Sequence, residues 1–177
     1  MSTAASLLEE RGAQIIDINM GCPAKKVVKR YAGSALMKDL SLATNIIKAV
    51  VKATSLPTTL KMRLGWDEDT KNAPELARIA ENNGIKLITV HGRTRQQLYK
   101  GVADWRFISK VKQIVKIPVV ANGDITCFDA AKKCLSESMA DGIMVGRACY
   151  GRPWFLSILS TFLLEVSRGK DPDLTEQ

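Results

Sequence analysis

A cysteine at the end of a short apolar segment is the first candidate for chemistry in this 177-residue chain. Cys22 stands between Gly21 and Pro23 at the close of the run Asp17-Ile18-Asn19-Met20-Gly21-Cys22-Pro23. Glycine lets the backbone approach a ligand closely and proline stiffens the turn, so the thiol would be held in place. It could serve as a nucleophile or as a proton donor. The alternative is a small buried hydrophobe, which is what many free cysteines are.

Cationic and imidazole side chains occur in similar positions farther along the chain. Lys61 and Arg63 are two residues apart in an apolar, strand-like segment, so their side chains lie on one side of it. A buried cation is costly unless an anion meets it, which implies a partner carboxylate or a ligand. His91 ends another apolar segment and is followed by Arg93 and Arg95. We interpret it as a ligand-facing residue, with a structural histidine as the alternative.

Two glycine-containing turns resemble phosphate-binding turns. Asn122-Gly123-Asp124 and Gly146-Arg147 each follow an apolar segment, and backbone N–H groups together with a guanidinium commonly hold phosphate. Asn-Gly often marks a hairpin. Residues 126–129 have the pattern of a helix capping box, however, so we predict a strand-to-helix turn here.

The charge of the chain indicates its partners. A formal charge of +8 favours RNA or a phosphorylated cofactor, although a basic surface is also compatible with solubility alone. Four basic residues follow Cys22 closely and either contact phosphate or form a solvated loop; they are Lys25, Lys26, Lys29 and Arg30. Tyr99 lies among polar and basic residues and suits a nucleobase contact, with a surface tyrosine as the alternative.

The rest of the composition excludes several classes. The four cysteines form no C-x-x-C pair and His91 is the single histidine, so we predict reduced thiols and no metal site. Cys127, Cys134 and Cys149 are expected to be packed or surface residues. The sequence contains no secretory leader and no apolar run of membrane-spanning length, which predicts a cytoplasmic protein that does not enter a membrane.

The segments that must position these side chains alternate between strand and helix. Short apolar runs predict strands at 14–19, 58–64, 87–90, 118–121 and 142–145, the first of them buried on both faces. Helical spacing and capping residues predict helices at 2–11, 39–53, 72–84, 104–115, after the turn at 126–129, and at 153–167. In the second helix, with Asp39 or Ser41 as its cap, Leu42, Ile46 and Val50 should face the core.

This alternation predicts an α/β fold with a parallel sheet. The candidate residues all fall at the carboxyl ends of strands, as catalytic residues do in a (β/α)₈ barrel, whose last two loops bind phosphate. The chain is about 70 residues shorter than the roughly 250 of a complete barrel. We therefore predict a partial (β/α)₈ TIM barrel of five βα units that correspond to strands four to eight. Its two unpaired outer strands would favour self-association.

Several sequence blocks resemble one enzyme family. They are DINMGCPAKKV, AGSALM, LKMRLGW, TVHGRTR, ANGDIT and VGRACYGRPW, and they are similar to the signature of tRNA-dihydrouridine synthases, most closely the bacterial B-type enzyme. The resemblance implies an FMN-binding barrel that reduces uridines in tRNA, followed by a helical tRNA-binding domain. We expect residues 1–168 to form the partial barrel and residues 169–177 a tail, with the helical domain absent.

The resemblance also implies roles for individual residues. Reduced FMN would supply a hydride, NADPH the electrons, and Cys22 the proton as general acid. The expected FMN contacts are Lys61, His91, Asn122, Gly123, Gly146 and Arg147, with Asp124 assigned to local backbone hydrogen bonds or to the ribityl chain. The expected uracil or RNA contacts are Asn19, Lys25, Lys26, Arg63, Arg93, Arg95 and Tyr99. The sequence lacks a dinucleotide-binding G-x-G fingerprint.

Two other functions fit parts of the same pattern. A small-molecule flavin oxidoreductase of the dihydroorotate-dehydrogenase type would share Lys61 and the phosphate-binding turns, but would not need so basic a surface beside Cys22. A non-catalytic RNA-binding fragment would keep the basic surface without the flavin. Retention of FMN and of tRNA by the purified chain distinguishes these functions.

Overall fold

A computed structural model describes residues 1–164 and shows five parallel strands. In chain order they are β1 (Ile16–Met20), β2 (Thr58–Arg63), β3 (Leu87–His91), β4 (Val119–Asn122) and β5 (Gly142–Met144), and each pairs with the next. The helices are α1 (Ser2–Glu10), α2 (Lys25–Val28), α3 (Leu40–Ala53), α4 (Ala73–Asn82), α5 (Trp105–Lys112), α6 (Phe128–Ser138) and α7 (Phe155–Leu163). Two 3₁₀ turns lie at Gly33–Lys38 and Arg147–Cys149.

The predicted α/β class with parallel βα units is therefore confirmed. The turn after β4 leads into α6, as predicted, because β4 and β5 are parallel and cannot form a hairpin. The last helix begins at Phe155, two residues after the predicted start. Its predicted end at residues 165–167 and the predicted tail at 169–177 lie outside the described residues.

The first strand is buried on one face only, so the prediction of burial on both faces is wrong. Ile16, Ile18 and Met20 are buried, whereas Asp17 and Asn19 are exposed. Alternate residues of a strand point to opposite faces, and here only one face packs against helices. The other face is polar, and the register places Arg63, His91 and Asn122 side by side across β2, β3 and β4.

The core lies between the apolar face of the sheet and the helices. Ile18, Leu60 and Ile88 of the sheet are completely or almost completely buried, as are Ile47 of α3 and Leu76 of α4. Such burial contributes roughly 1.5–3 kcal/mol for each large apolar side chain. This one-sided core holds the strands in register and so fixes where their carboxyl ends lie.

The buried face of α3 is shifted by about one position along the chain from its prediction, since Ala43 and Ile47 take the places expected for Leu42 and Ile46. Leu42 is 38% exposed, while Ala43, Ile47 and Val50 are buried and Ile46 is half-buried. Both the predicted and the observed sets have helical spacing, so the choice depends on how the helix lies against the sheet.

The predicted helix caps have mixed outcomes. Asp39 is the cap of α3, because its Oδ1 accepts a hydrogen bond from the N–H of Leu42 at 2.8 Å. The capping box predicted at residues 126–129 is wrong, and the helix predicted from residue 72 has no side-chain cap either. Asn72 instead donates from Nδ2 to the carbonyl of Met37 at 2.7 Å, and α6 begins after Cys127 without a side-chain cap.

Candidate active site

The carboxyl ends of the strands enclose a cavity of about 710 Å³. Eleven of the predicted site residues line it, namely Asn19, Cys22, Lys61, Arg63, His91, Tyr99, Asn122, Gly123, Asp124, Gly146 and Arg147. The parallel arrangement explains this convergence, since the carboxyl ends of parallel strands meet at one edge of the sheet.

Cys22 lies on a loop that is fixed through its backbone. Oδ1 of Asn19 accepts hydrogen bonds from the N–H groups of Gly21 and Cys22, at 3.0 and 3.2 Å. The Cys22 carbonyl accepts from the N–H of Ser34 at 3.0 Å and from its hydroxyl at 2.9 Å. Gly33 makes this approach possible, because a Cβ there would lie 2.7 Å from the Cys22 carbonyl oxygen. The half-buried thiol is thus attached to a rigid support.

Lys61 brings a partly buried ammonium group to the cavity. Its Nζ donates to Oδ1 of Asn122 at 3.4 Å, and Asn122 donates from Nδ2 to the carbonyl of Met144 at 2.8 Å. Burial lowers the pKa of Lys61, and the nearby positive charge of Arg63 lowers it further. An ammonium with one long hydrogen bond to a neutral amide retains capacity for an anionic group.

His91 is a neutral imidazole in the wall of the cavity. It is 8% exposed, and burial together with the charges of Arg63, Lys61 and Arg93 lowers its pKa to about 3. A nitrogen of Arg93 lies 3.5 Å from Nε2 of His91. Because a guanidinium only donates, this contact favours the tautomer that carries its proton on Nδ1.

The turn after β4 lies close to the His91 ring. Gly123 has a φ of 119°, and a Cβ at this position would lie 2.9 Å from Cδ2 of His91. Its carbonyl accepts a hydrogen bond from the indole N–H of Trp105 at 2.9 Å. A glycine is therefore needed both for the conformation of the backbone and for the space beside the imidazole.

Asp124 is a compensated carboxylate rather than a free negative charge. Its Oδ2 accepts from a nitrogen of Arg93 at 2.6 Å and from the N–H of Ala103 at 2.8 Å, while Oδ1 lies 3.5 Å from a nitrogen of Arg147. Burial is the largest single influence and raises its pKa, but these hydrogen bonds and charges together lower it. The backbone partner, Ala103, is 21 residues away in the chain, so this is not the local backbone hydrogen bond that was predicted. The alternative role of Asp124 toward the ribityl chain stays a prediction.

Arg63 and Arg93 are each 2% exposed, and their guanidinium groups hold loops together. Arg63 donates to the carbonyls of Gly21, Thr94 and Leu98. Arg93 donates to the carbonyls of Lys100 and Gly101 and to Asp124. For Arg63 the recorded hydrogen bonds go to backbone carbonyls and not to a carboxylate. Its expected contact with a ligand stays a prediction.

Four predicted substrate contacts do not line the cavity: Arg93, Arg95, Lys25 and Lys26. Arg95 lies over the ring of Trp66, with 4.7 Å between its guanidinium carbon and the ring centroid. Lys25 and Lys26 are exposed in α2, which continues from the Cys22 loop, so this basic segment is helical rather than an open loop. The substrate roles of these four residues stay predictions.

The sequence did not single out several other cavity residues. They include Met144, Thr126 and Tyr150. Thr126 and Tyr150 belong to the blocks ANGDIT and VGRACYGRPW, but the sequence assigns them no role in the site. Ser34, which fixes the Cys22 carbonyl, was identifiable only as part of the AGSALM block.

Two further findings concern residues 1–164. No helix in this range is long and apolar enough to cross a membrane. Among the same residues, no three histidine, cysteine or acidic side chains are grouped so that they could hold a metal ion.

Cys134 is buried, which raises the pKa of its thiol to about 12, whereas Cys127 is exposed.

Comparison with known proteins identifies the family. A family model described as "Dihydrouridine synthase (Dus)" matches residues 1–177. The chain belongs to the dihydrouridine synthase family. The "Probable tRNA-dihydrouridine synthase" of Rickettsia conorii is 58% identical to this dihydrouridine synthase-family chain over 177 residues. The match covers 100% of this chain and 54% of the relative. The "tRNA-dihydrouridine synthase B" of Pseudomonas syringae is 52% identical over 164 residues, 93% of this chain and 49% of the relative.

The dihydrouridine synthase-family chain thus spans about half the length of the curated relatives that it matches. Among solved structures, a phosphonopyruvate hydrolase in complex with oxalate and Mg²⁺ is similar, with a TM-score of 0.62 and 15% identity over 96% of this chain and 62% of the other. This similarity concerns the fold alone, and it confirms the predicted partial TIM barrel.

Proposed function

We propose that this chain carries the site at which a dihydrouridine synthase reduces the C5–C6 double bond of uridine in tRNA. The cofactor would be FMN, and NADPH would supply the electrons. The observation that carries the proposal is the meeting of Cys22, Lys61 and the turn at 122–124 in one cavity. The family to which the chain belongs supports the same reaction.

The residues of the cavity fit a phosphorylated cofactor with a ring. Its volume of about 710 Å³ lies within the range of about 300–1,000 Å³ that is typical of ligand sites. Arg147, whose side chain is 58% exposed, would hold the phosphate together with N–H groups of Gly123 and Gly146. Asp124 would not repel that phosphate strongly, because Arg93 already compensates its charge. Lys61 and His91 are the candidates for contacts with the ring.

The chain would contribute a proton and a positive charge to the reaction. Bound FMN in its reduced form supplies the hydride. Cys22 would donate the proton, because its S–H lies at the cavity on a loop that is fixed at Asn19 and Ser34. Lys61 would stabilise negative charge on the ring. His91 remains neutral and adds no competing positive charge.

The substrate would enter from the side of the cavity next to α2, where Lys25 and Lys26 are exposed. A base within folded tRNA cannot reach a recessed site, so the target uridine must be extruded. Tyr99, which is exposed and lines the cavity, and Asn19 are the candidates for contacts with the uracil. Lys25 and Lys26 would contact flanking phosphates.

The test is single-turnover reduction of a tRNA transcript by the purified chain with FMN and NADPH, measured as dihydrouridine by mass spectrometry. Cys22→Ala should slow the reaction by about 10² or more, since only the proton donor is removed. The matched control is Cys127→Ala, which removes an exposed thiol that does not line the cavity and should leave the rate unchanged. An unchanged rate in Cys22→Ala would exclude the thiol from the reaction.

The same preparation separates the alternatives. Retained FMN with reduction of a free pyrimidine but not of tRNA would indicate a small-molecule flavin oxidoreductase. Binding of tRNA without retention of FMN would indicate an RNA-binding role alone.

A further inference from the structure

Arg63 has surroundings that its sequence position does not predict. Its Nε donates to the carbonyl of Gly21 at 2.9 Å, and one terminal nitrogen donates to the carbonyls of Thr94 and Leu98, each at 2.8 Å. Gly21 belongs to the loop after β1 that carries Cys22, whereas Thr94 and Leu98 belong to the loop after β3. One planar group therefore fastens two active-site loops to each other.

We propose that Arg63 is a positioning residue that orients the thiol of Cys22. This inference deepens the proposed function and rests on it for the role of the thiol. The four backbone polar groups of the Gly21-Cys22 dipeptide are all bonded: both N–H groups to Asn19, the Gly21 carbonyl to Arg63, and the Cys22 carbonyl to Ser34. Asn19 and Ser34 lie close to the loop in the chain, and Arg63 alone among the three ties it to the loop after β3.

The geometry requires arginine rather than any cation. A guanidinium carries five N–H donors in a fixed plane, so it can bond two loops at once and keep their distance constant. A lysine ammonium is a compact donor on a flexible stem and cannot reproduce this span. Arg63→Lys therefore keeps the positive charge near Cys22 and removes the rigid connection.

Arg93 provides a matched control within the same structure. It is buried to the same extent and bonds the carbonyls of Lys100 and Gly101, which lie on the same loop after β3. None of its recorded hydrogen bonds reaches the Cys22 loop; the others go to Asp124 and the His91 ring. Arg93→Lys should thus perturb the second loop and the stability of the chain without freeing Cys22.

The experiment measures alkylation of Cys22 by iodoacetamide in the full chain, with the exposed Cys127 as an internal reference in the same sample. The half-buried thiol should be exposed more often when its loop is released. We expect the ratio of the Cys22 rate to the Cys127 rate to rise at least about fivefold in Arg63→Lys and to stay within about twofold of wild type in Arg93→Lys. Peptide mass spectrometry gives both rates.

Two outcomes would overturn the proposal. One is an unchanged ratio in Arg63→Lys; the other is an equal rise in both variants, which would indicate general loosening. If Arg63→Lys shows no cooperative unfolding transition, Arg63→Gln provides the second variant, because its single amide can reach only one loop. Amide hydrogen exchange at Gly21 and Cys22 should be faster in either Arg63 variant, and unchanged exchange in a folded variant would also refute the positioning role.

The test is independent of the proposed reaction, because alkylation needs neither FMN nor tRNA. If the ratio changes as expected but the chain forms no dihydrouridine, the proposed function is wrong and the role of Arg63 in holding the loop stands. If dihydrouridine is formed but the ratio does not change, the reverse holds.

Discussion

His91 should make the stability of the chain depend on pH between about 7 and 5. It is the single histidine of the sequence, and burial lowers its pKa to about 3 in the folded chain. In the unfolded chain a histidine takes up a proton near pH 6.5. Between these two values the unfolded state binds more protons, so the free energy of unfolding must fall as the pH falls.

The magnitude follows from the two pKa values. The folded pKa lies well below 5, so His91 stays neutral in the native state over this range. The loss is then set by protonation of the unfolded state and amounts to about 2 kcal/mol between pH 7 and pH 5. Aspartate and glutamate have ordinary pKa values near 4 and contribute little above pH 5.

The assay is urea unfolding, followed by tryptophan fluorescence, at several values between pH 7 and pH 5. The comparison is between the wild-type chain and His91→Gln, which cannot take up a proton. The wild type should lose about 2 kcal/mol and the variant almost nothing. Equal slopes in the two proteins would refute the reasoning, because the pH dependence would then come from other groups.

Three further predictions concern the cavity and its rim. Lys61→Met should raise the free energy of unfolding by about 1 kcal/mol, because a poorly paired, partly buried ammonium is removed, and it should weaken FMN binding at least about tenfold. Urea unfolding measures the first effect and a flavin fluorescence titration the second, with Lys86→Met at an exposed lysine as the control that removes the same charge. A loss of stability in Lys61→Met would contradict this explanation. Gly123→Ala should cost about 3 kcal/mol because the new Cβ, at a φ of 119°, would lie 2.9 Å both from Cβ of Ala103 and from Cδ2 of His91. The control Gly12→Ala, at a φ of 88° with nothing within 4 Å of the added Cβ, should cost only about 1 kcal/mol by the same urea assay. Equal losses would show that the contacts with Ala103 and His91 are unimportant. Binding of tRNA should weaken as the salt concentration rises, with a slope of log K against log concentration of roughly −3 to −5 if four to six phosphates are contacted. Replacement by glutamine of Lys25, Lys26, Lys29 and Arg30 should flatten the slope, whereas four such replacements at the exposed Lys48, Lys52, Lys86 and Lys133 should not. A slope near zero in the wild type would argue against RNA as the partner.

Local sequence pattern was sufficient for the elements and for most of the cavity. The apolar runs gave each strand to within about two residues, and Asp39 marked the start of α3 through its own side chain. Parallel strands place their carboxyl ends together whatever the details of packing. For this reason the sequence predicts that Cys22, Lys61, His91 and the turn at 122–124 meet, and all of them line the cavity.

The orientation of helix faces was not encoded locally. Leu42 and Ala43 are both compatible with an apolar stripe, and only the angle at which α3 lies against the sheet buries one of them and exposes the other. The same holds for β1, where burial on one face or two depends on what covers the second face of the sheet.

The arginines show most clearly what tertiary structure decided. Arg63, Arg93 and Arg95 look alike in the sequence, as cations that end or follow apolar strands. In the structure Arg63 bonds carbonyls of two loops, Arg93 bonds a loop and Asp124, and Arg95 lies over Trp66. The sequence determined that cations would be present at this edge of the sheet. Which of them remain available to a ligand depended on where distant loop carbonyls come to lie, because each buried guanidinium must satisfy its donors with whatever acceptors the fold brings within reach.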